Sequence, residues 1–266
     1  MRNTAAKVAL LVTLVHSLGL WAALGLWAQK VDAADRQAHA RRMLAATIQA
    51  LGGDAWLNLK TVRDQGKTAG YFQGTPTGVL AETTQTSEMP DKFRVDFAGS
   101  GHIVQIYGAQ RGWEITYKGA RPLSAEKMQD YLRWRQHSLS VALRCWLRDP
   151  DTLLLENGPV LTERRQADKV TLIDRHNDAI TLELDASTHL PIRLSFAWRD
   201  PRFAGKNLDA VEYDNYQRVS GIETPFTITR THNGETVSQR FRLRVTYNAS
   251  VPPNFFDPAM EAKRKR

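Results

Sequence analysis

Two hydrophobic periods follow one another along this chain. Between Asp35 and Leu51, residues Ala40, Leu44, Thr47, Ile48 and Leu51 fall on one face of a 3.6-residue helix, with Arg41, Arg42 and Gln49 turned away. Gly52-Gly53 ends that helix, and Asp54 is placed to cap a short turn through Trp56 and Leu59. From Thr61 the period drops to two. Five runs alternate apolar with polar residues: Phe93-Val95-Phe97, Trp113-Ile115-Tyr117, Ile180-Leu182-Leu184, Ile192-Leu194-Phe196-Trp198 and Phe241-Leu243-Val245-Tyr247. Such strands have one apolar and one wet face, as in an antiparallel sheet covered on one side. Turn residues separate them at Met89-Pro90-Asp91, Ala109 to Gly112, His176-Asn177-Asp178 and Asn233-Gly234, the last a two-residue hairpin signal. Alternation and turn spacing predict about ten strands.

The helical period returns once, from Ser124, a capping residue, to Arg148, just before Asp149-Pro150. Its main stripe is Met128, Tyr131, Leu132, Leu139, Ala142, Leu143 and Trp146, and a second stripe of Trp134, Val141 and Cys145 widens the apolar arc. Arg135 sits inside the main stripe, where a guanidinium either snorkels to the helix edge or pairs with a ligand head group. Two helices are too few to cover the inward side chains of so many strands. A curved sheet then either encloses an apolar hollow stoppered by the helices or packs solid. No repeat or linker interrupts residues 34–260, which read as one domain.

The first 33 residues lie outside this pattern. A basic start, Met1 to Lys7, and an apolar run, Val8 to Trp27, form a secretory signal, with cleavage sites before Gln29 or, preferably, Ala34. The run is also long enough to serve as an uncleaved membrane anchor over residues 8–27. No cysteine follows it, which excludes a lipid-modified N-terminus, and the body is expected in the periplasm. The net charge of +8 over 266 residues is concentrated at the ends. Arg2, Lys7 and Lys30 against Asp32 contribute +2, and Lys263, Arg264, Lys265 and Arg266 against Glu261 contribute +3. The remainder, +3, leaves the body nearly balanced, so basicity does not imply a nucleic-acid partner. The single cysteine, Cys145, rules out a disulfide framework or a cysteine-based zinc site and is expected as a buried thiol.

Catalytic patterns are missing. His16, His39, His102, His137, His176, His189 and His232 form no i, i+4 pair and no HExxH motif, and His176 reads as a turn residue. Gly99-Ser100-Gly101 precedes a strand where a nucleophile elbow needs a helix. No Walker or GxGxxG motif occurs, and Asp149 and Asp151 have turn and capping roles. Arg240, Arg242 and Arg244 form a basic stripe expected to face solvent or guard an edge. No enzyme activity, metal or cofactor is expected.

The order of elements carries a resemblance. An exported chain opens with an amphipathic helix and enters a long sheet through Met89-Pro90-Asp91-Lys92-Phe93-Arg94-Val95, then a strand pair from Ile103 to Tyr117. A helix interrupts, and the chain ends with Tyr213 to Pro225, a hairpin, and Asn248 to Pro258. Over about residues 35–258 this resembles the outer-membrane lipoprotein-sorting family, the LolA/LolB-like fold shared with the sensor RseB. The resemblance implies a mainly β (α+β) fold, an unclosed antiparallel half-barrel with a helical lid over an apolar cavity. It implies a non-enzymatic periplasmic carrier or chaperone whose cargo is a lipoprotein's acyl chains, another lipid or a hydrophobic small molecule. The alternative is a membrane-tethered sensor or binding module acting through a protein partner, such as a membrane-bound transport or signalling protein. The ligand-binding candidates are Phe93, Phe97, Trp113, Phe196 and Trp198 on strands, with Tyr131, Arg135, Leu143 and Trp146 on the lid. Two features depart from the family: Met89 stands where the best-known carriers have a basic residue, and residues 261–266 add a basic tail, expected to be disordered.

Overall fold

In the computed structural model the described residues are 34–99, 103–202 and 204–264, so the signal segment and Ser100 to His102 lie outside them. Helix α1 (34–51) buries Ala40, Leu44, Thr47, Ile48 and Leu51, the face that the period marks. It stops at Gly52-Gly53, where the Gly53 amide donates to Ile48 at 2.8 Å and both glycines take positive φ. A short α2 (Asp54–Leu57) follows.

The strands are β1 (Thr61–Phe72), β2 (Thr75–Glu88), β3 (Lys92–Phe97), β4 (Val104–Tyr107), β5 (Gly112–Thr116) and β6 (Gly119–Pro122), then β7 (Leu153–Thr162), β8 (Arg165–Ile173), β9 (Ala179–Asp185) and β10 (Pro191–Arg199), and finally β11 (Lys206–Val219), β12 (Ile222–His232) and β13 (Glu235–Tyr247). All thirteen form one antiparallel sheet in the order β6-β5-β4-β3-β2-β1-β13-β12-β11-β10-β9-β8-β7. Every neighbour is consecutive in sequence except β1 and β13, and the edge strands β6 and β7 do not pair with each other. The sheet is therefore an unclosed half-barrel, with three more strands than alternation predicts. Short or polar runs such as β6, Gly-Ala-Arg-Pro, carry no alternation to find.

The chain between the two edges is helical but broken. Helix α3 (Ala125–Gln136) starts at Ser124, whose hydroxyl accepts from the Lys127 amide. Instead of continuing to Arg148, it ends at His137, and extended Ser138 caps a second helix, α4 (Leu139–Arg144), by accepting from Val141. A 3₁₀ turn over Trp146–Arg148 completes the segment. The break resets the helical phase, so Cys145 is exposed rather than buried.

The main core lies where α1, α2 and α4 cover β7 to β11. Leu44, Leu51, Leu143, Leu172, Ile180, Leu182 and Leu194 are closed off from solvent there. Each such side chain contributes about 1.5–3 kcal/mol of burial. A second, smaller cluster sits on the opposite, convex face: Val104, Ile106 and Ile115, with Trp113, Phe256 and Ala262 packed on them. It is roofed by helix α5 (Pro258–Arg264), so residues 261–264 belong to a helix and not to a disordered tail. Buried Arg94 anchors that helix, holding Glu261 at 3.1 Å, Asp96 at 2.6 Å and the Phe255 carbonyl at 2.7 Å.

Strand β13 reverses the expected polarity. Gln65 pairs with Arg244 but Gly66 pairs with Arg242, so Leu243 is an extra residue in a bulge. Val245 and Tyr247 face the concave side with Val62, whereas Phe241 and Leu243, 40% and 63% exposed, face outward. Arg240, far from a solvated stripe, points inward beside Asp64, both nearly buried. Gly66 is required at this crossing, since a Cβ there would lie 2.3 Å from the Phe241 carbonyl oxygen.

Candidate ligand-binding hollow

Helix α3 spans the concave face from one half of the sheet to the other. Trp134 meets Phe196 of β10 edge-on, with ring centroids 5.1 Å apart, and the Arg133 guanidinium lies 3.6 Å over Trp198. On the other side Tyr131 stacks on Tyr107 of β4 at 4.4 Å and on Phe93 of β3 at 6.0 Å. These contacts make α3 a lid. Beneath it the two halves of the sheet differ. Over β7 to β11 the interior is filled by α1 and α4. Over β2 to β4 the inward Phe93, Phe97, Gln85 and Tyr107 are half-buried beside buried Thr83 and Val95, and of α3 it is Tyr131 that meets Phe93 and Tyr107.

The sequence candidates divide accordingly. Phe93 and Tyr131 come together at the open half, with Arg135 on the same helix, and Phe97 lies further along β3 opposite Thr83. Leu143, Trp146 and Phe196 are packed at 0%, 8% and 2% exposure in the closed core. Trp198 is held by its indole N–H, which donates to Asp209 at 2.8 Å, and by Arg133 above it. Trp113 points to the convex face with Ile106 and Ile115, because Glu114 takes the concave position and pairs there with Arg121 and Gln105. An open cleft of about 540 Å³ lies beside Trp113, between β5–β6 and the start of α3, lined also by Leu123, Met128 and Leu132.

Two residues of the hollow lacked a sequence signal. Tyr107 ends a four-residue strand too short to show a period. Arg230 follows Ile228 in a Thr-rich run, and only the shared parity of positions 228 and 230 places it inward, opposite Val211 and Ser238. It lies under the lid, with its guanidinium 4.6 Å from the Trp134 ring centroid.

The electrostatics are those of a partly dry site. Burial pushes the Tyr107 phenol up to about 12, with the neighbouring Tyr131 and Glu114 adding to it and Arg230 opposing. Burial likewise raises Tyr131 against the pull of Arg135. The protein atoms around Arg230 lower it, and its side chain is exposed to solvent. Asp64 collects Arg240, whose Nε donates at 2.8 Å, and Arg242 at 3.5 Å, while Thr68 and Thr83 accept from the other arm of Arg240. Among the described residues no group of three or more His, Cys, Asp or Glu could hold a metal ion, and no helix is long and apolar enough to cross a membrane.

No protein-family model matches the chain, and no curated protein matches it. Solved structures do. A DUF1329 family protein from Desulfovibrio piger superposes with a TM-score of 0.58 at 9% identity, covering 85% of this chain and 98% of that one. A domain described as an outer membrane lipoprotein-sorting protein, from Vibrio parahaemolyticus, gives a TM-score of 0.54 at 11% identity, covering 85% of this chain and 100% of that one. Identities this low carry the fold alone. The chain has the unclosed half-barrel fold of the outer-membrane lipoprotein-sorting proteins that its sequence resembles.

Proposed function

We propose that the protein is an exported, non-enzymatic carrier that shelters acyl chains between α3 and the open half of the sheet. The observation that carries this reading is the half-buried aromatic group in which Phe93 and Tyr107 of the sheet meet Tyr131 of the lid. An acyl chain laid there leaves water at about 0.8 kcal/mol per buried methylene. The periplasm is the compartment that the signal-like segment before Ala34 supports.

The test is titration of the purified body, residues 34–266, with a fluorescent fatty acid, together with mass spectrometry of lipids extracted from protein isolated from its native cells. Saturable binding that displaces with unlabelled lipid, and a co-purified acyl species, are expected. No saturable binding by a folded protein would end the carrier reading. It would leave the second reading, a module that acts through a protein partner, which the outward apolar pair Phe241 and Leu243 favours.

A further inference from the structure

Arg230 has no acid of its own. Among the described residues none accepts a hydrogen bond from it or lies within ion-pair distance, and the Trp134 ring is its nearest partner. The carboxylates that reach it electrostatically are already engaged: Asp130 by Arg133 at 2.5 Å, Asp209 by His232 at 2.6 Å and by the Trp198 indole. Arg240 and Arg242, also on the concave face, share Asp64. The Arg230 guanidinium lies against Trp134 with its side chain exposed to solvent, so it remains open to an incoming molecule. Arg135, one residue from Trp134 and one turn from Tyr131, adds a second guanidinium whose Nη1 is buried without a partner.

We infer that the cargo is an anionic amphiphile, whose oxyanion head, carboxylate or phosphate, is received by Arg230 while its chain lies along the Phe93–Tyr107–Tyr131 aromatics. This rests on the proposed carrier function and names its ligand class. A planar guanidinium stacked on an aromatic ring keeps its edge free for bidentate contact with two oxygens, which suits both kinds of head.

The experiment compares ligands of one chain length on the folded protein: palmitate, a lysophosphatidic acid with the same chain, and neutral hexadecanol, each competing with a fluorescent fatty acid. Acetate and inorganic phosphate alone form the chain-free arms. At least one anionic amphiphile should bind about tenfold or more tightly than hexadecanol, the size of a charge-assisted hydrogen bond. Arg230→Gln should abolish that preference without changing hexadecanol affinity, and Arg230→Lys should keep part of it. The palmitate and lysophosphatidic acid arms then tell a carboxylate head from a phosphate one. Equal affinity for charged and neutral ligands, or an equal loss for both in Arg230→Gln, would overturn the inference and leave acyl binding intact. Competition by acetate or phosphate as strong as that of the amphiphiles would also overturn it, since the site would then bind free oxyanions. Absence of binding by every amphiphile would remove the carrier reading itself. Thermal melts of both variants show whether a loss reflects unfolding, and Arg230→Lys decides the matter if Arg230→Gln does not fold.

Discussion

The imidazole of His137 lies between the lid and the wall, with Nε2 2.8 Å from the Asp178 carboxylate and Nδ1 2.7 Å from the Arg133 carbonyl. Its ring stacks flat on Phe196 at 4.1 Å. The break between α3 and α4 is thereby tied to the β8–β9 turn. Burial alone would raise Asp178, but the hydrogen bond and charge of His137 and the Ala179 amide outweigh it and hold the carboxyl below its ordinary value. A depressed carboxyl contributes stability above its unfolded value, about 3.9, that is lost as pH falls through the folded one. The melting temperature of the wild type should therefore fall more steeply than that of Asp178→Asn below about pH 4. At neutral pH the variant should be about 1–3 kcal/mol less stable. Parallel acid branches in the two sets of melts would show that the pair contributes nothing.

The C-terminal helix depends on one cation. Arg94 and Glu261 are 5% and 8% exposed, and Arg94→Leu removes the guanidinium that Glu261 and Asp96 share. The expected loss is about 3 kcal/mol, the low end for breaking a buried ion pair from one side. Limited proteolysis should then clip the chain near Asp257 before the rest of the fold opens. Resistance equal to wild type would mean that Phe256 and Ala262 hold α5 without the ion pair.

Arg240 and Asp64 form a buried pair across the β1–β13 seam. Arg240→Met should destabilise by about 3–5 kcal/mol because Asp64 then keeps only the more distant Arg242. The double variant Asp64→Leu/Arg240→Met should recover most of that loss. Urea unfolding of the two single variants and the double one measures the coupling. Simple additivity would show that the two residues act separately.

Core and hollow should respond differently to truncation. Trp146→Ala removes packing from the filled half and should cost about 3–5 kcal/mol while sparing acyl binding. Tyr131→Ala should cost less stability, since fewer contacts surround that ring, but weaken acyl binding severalfold. Paired melts and ligand titrations decide, and a reversed pattern would move the site into the α1 half.

The fold was readable wherever one face of an element is dry. The α1 stripe, the Ser124 cap, the Asn233-Gly234 turn and the alternation of β9 and β10 all follow from local chemistry. The reading failed where tertiary structure inverts or resets a period. The Leu243 bulge turned Arg240 and Arg242 inward while Arg244 stayed outside, Ser138 cut one helix into two, and α5 dried the outer face behind Trp113. Of the aromatics that meet under α3, Phe93 and Tyr131 were legible in the sequence. Arg230 was not, because a lone arginine between threonines looks like solvent-facing strand until its neighbours across the sheet are known.

The seam between β1 and β13 has a kinetic meaning. The remaining strand pairings join consecutive strands, so β1–β6 and β7–β13 can each be laid down from short-range contacts. The seam instead brings together residues as far apart as Lys60 and Asn248, 188 positions distant, and closing so long a loop is the entropically expensive step. Phe93 and Tyr107 belong to the first meander and Arg230 to the second, so neither half owns a hollow before the seam zips. A ligand touching both sides would then act as a strut. Amide exchange along β1 and β13 should slow on binding more than exchange within β8 to β10, whose pairing was complete before any ligand could enter.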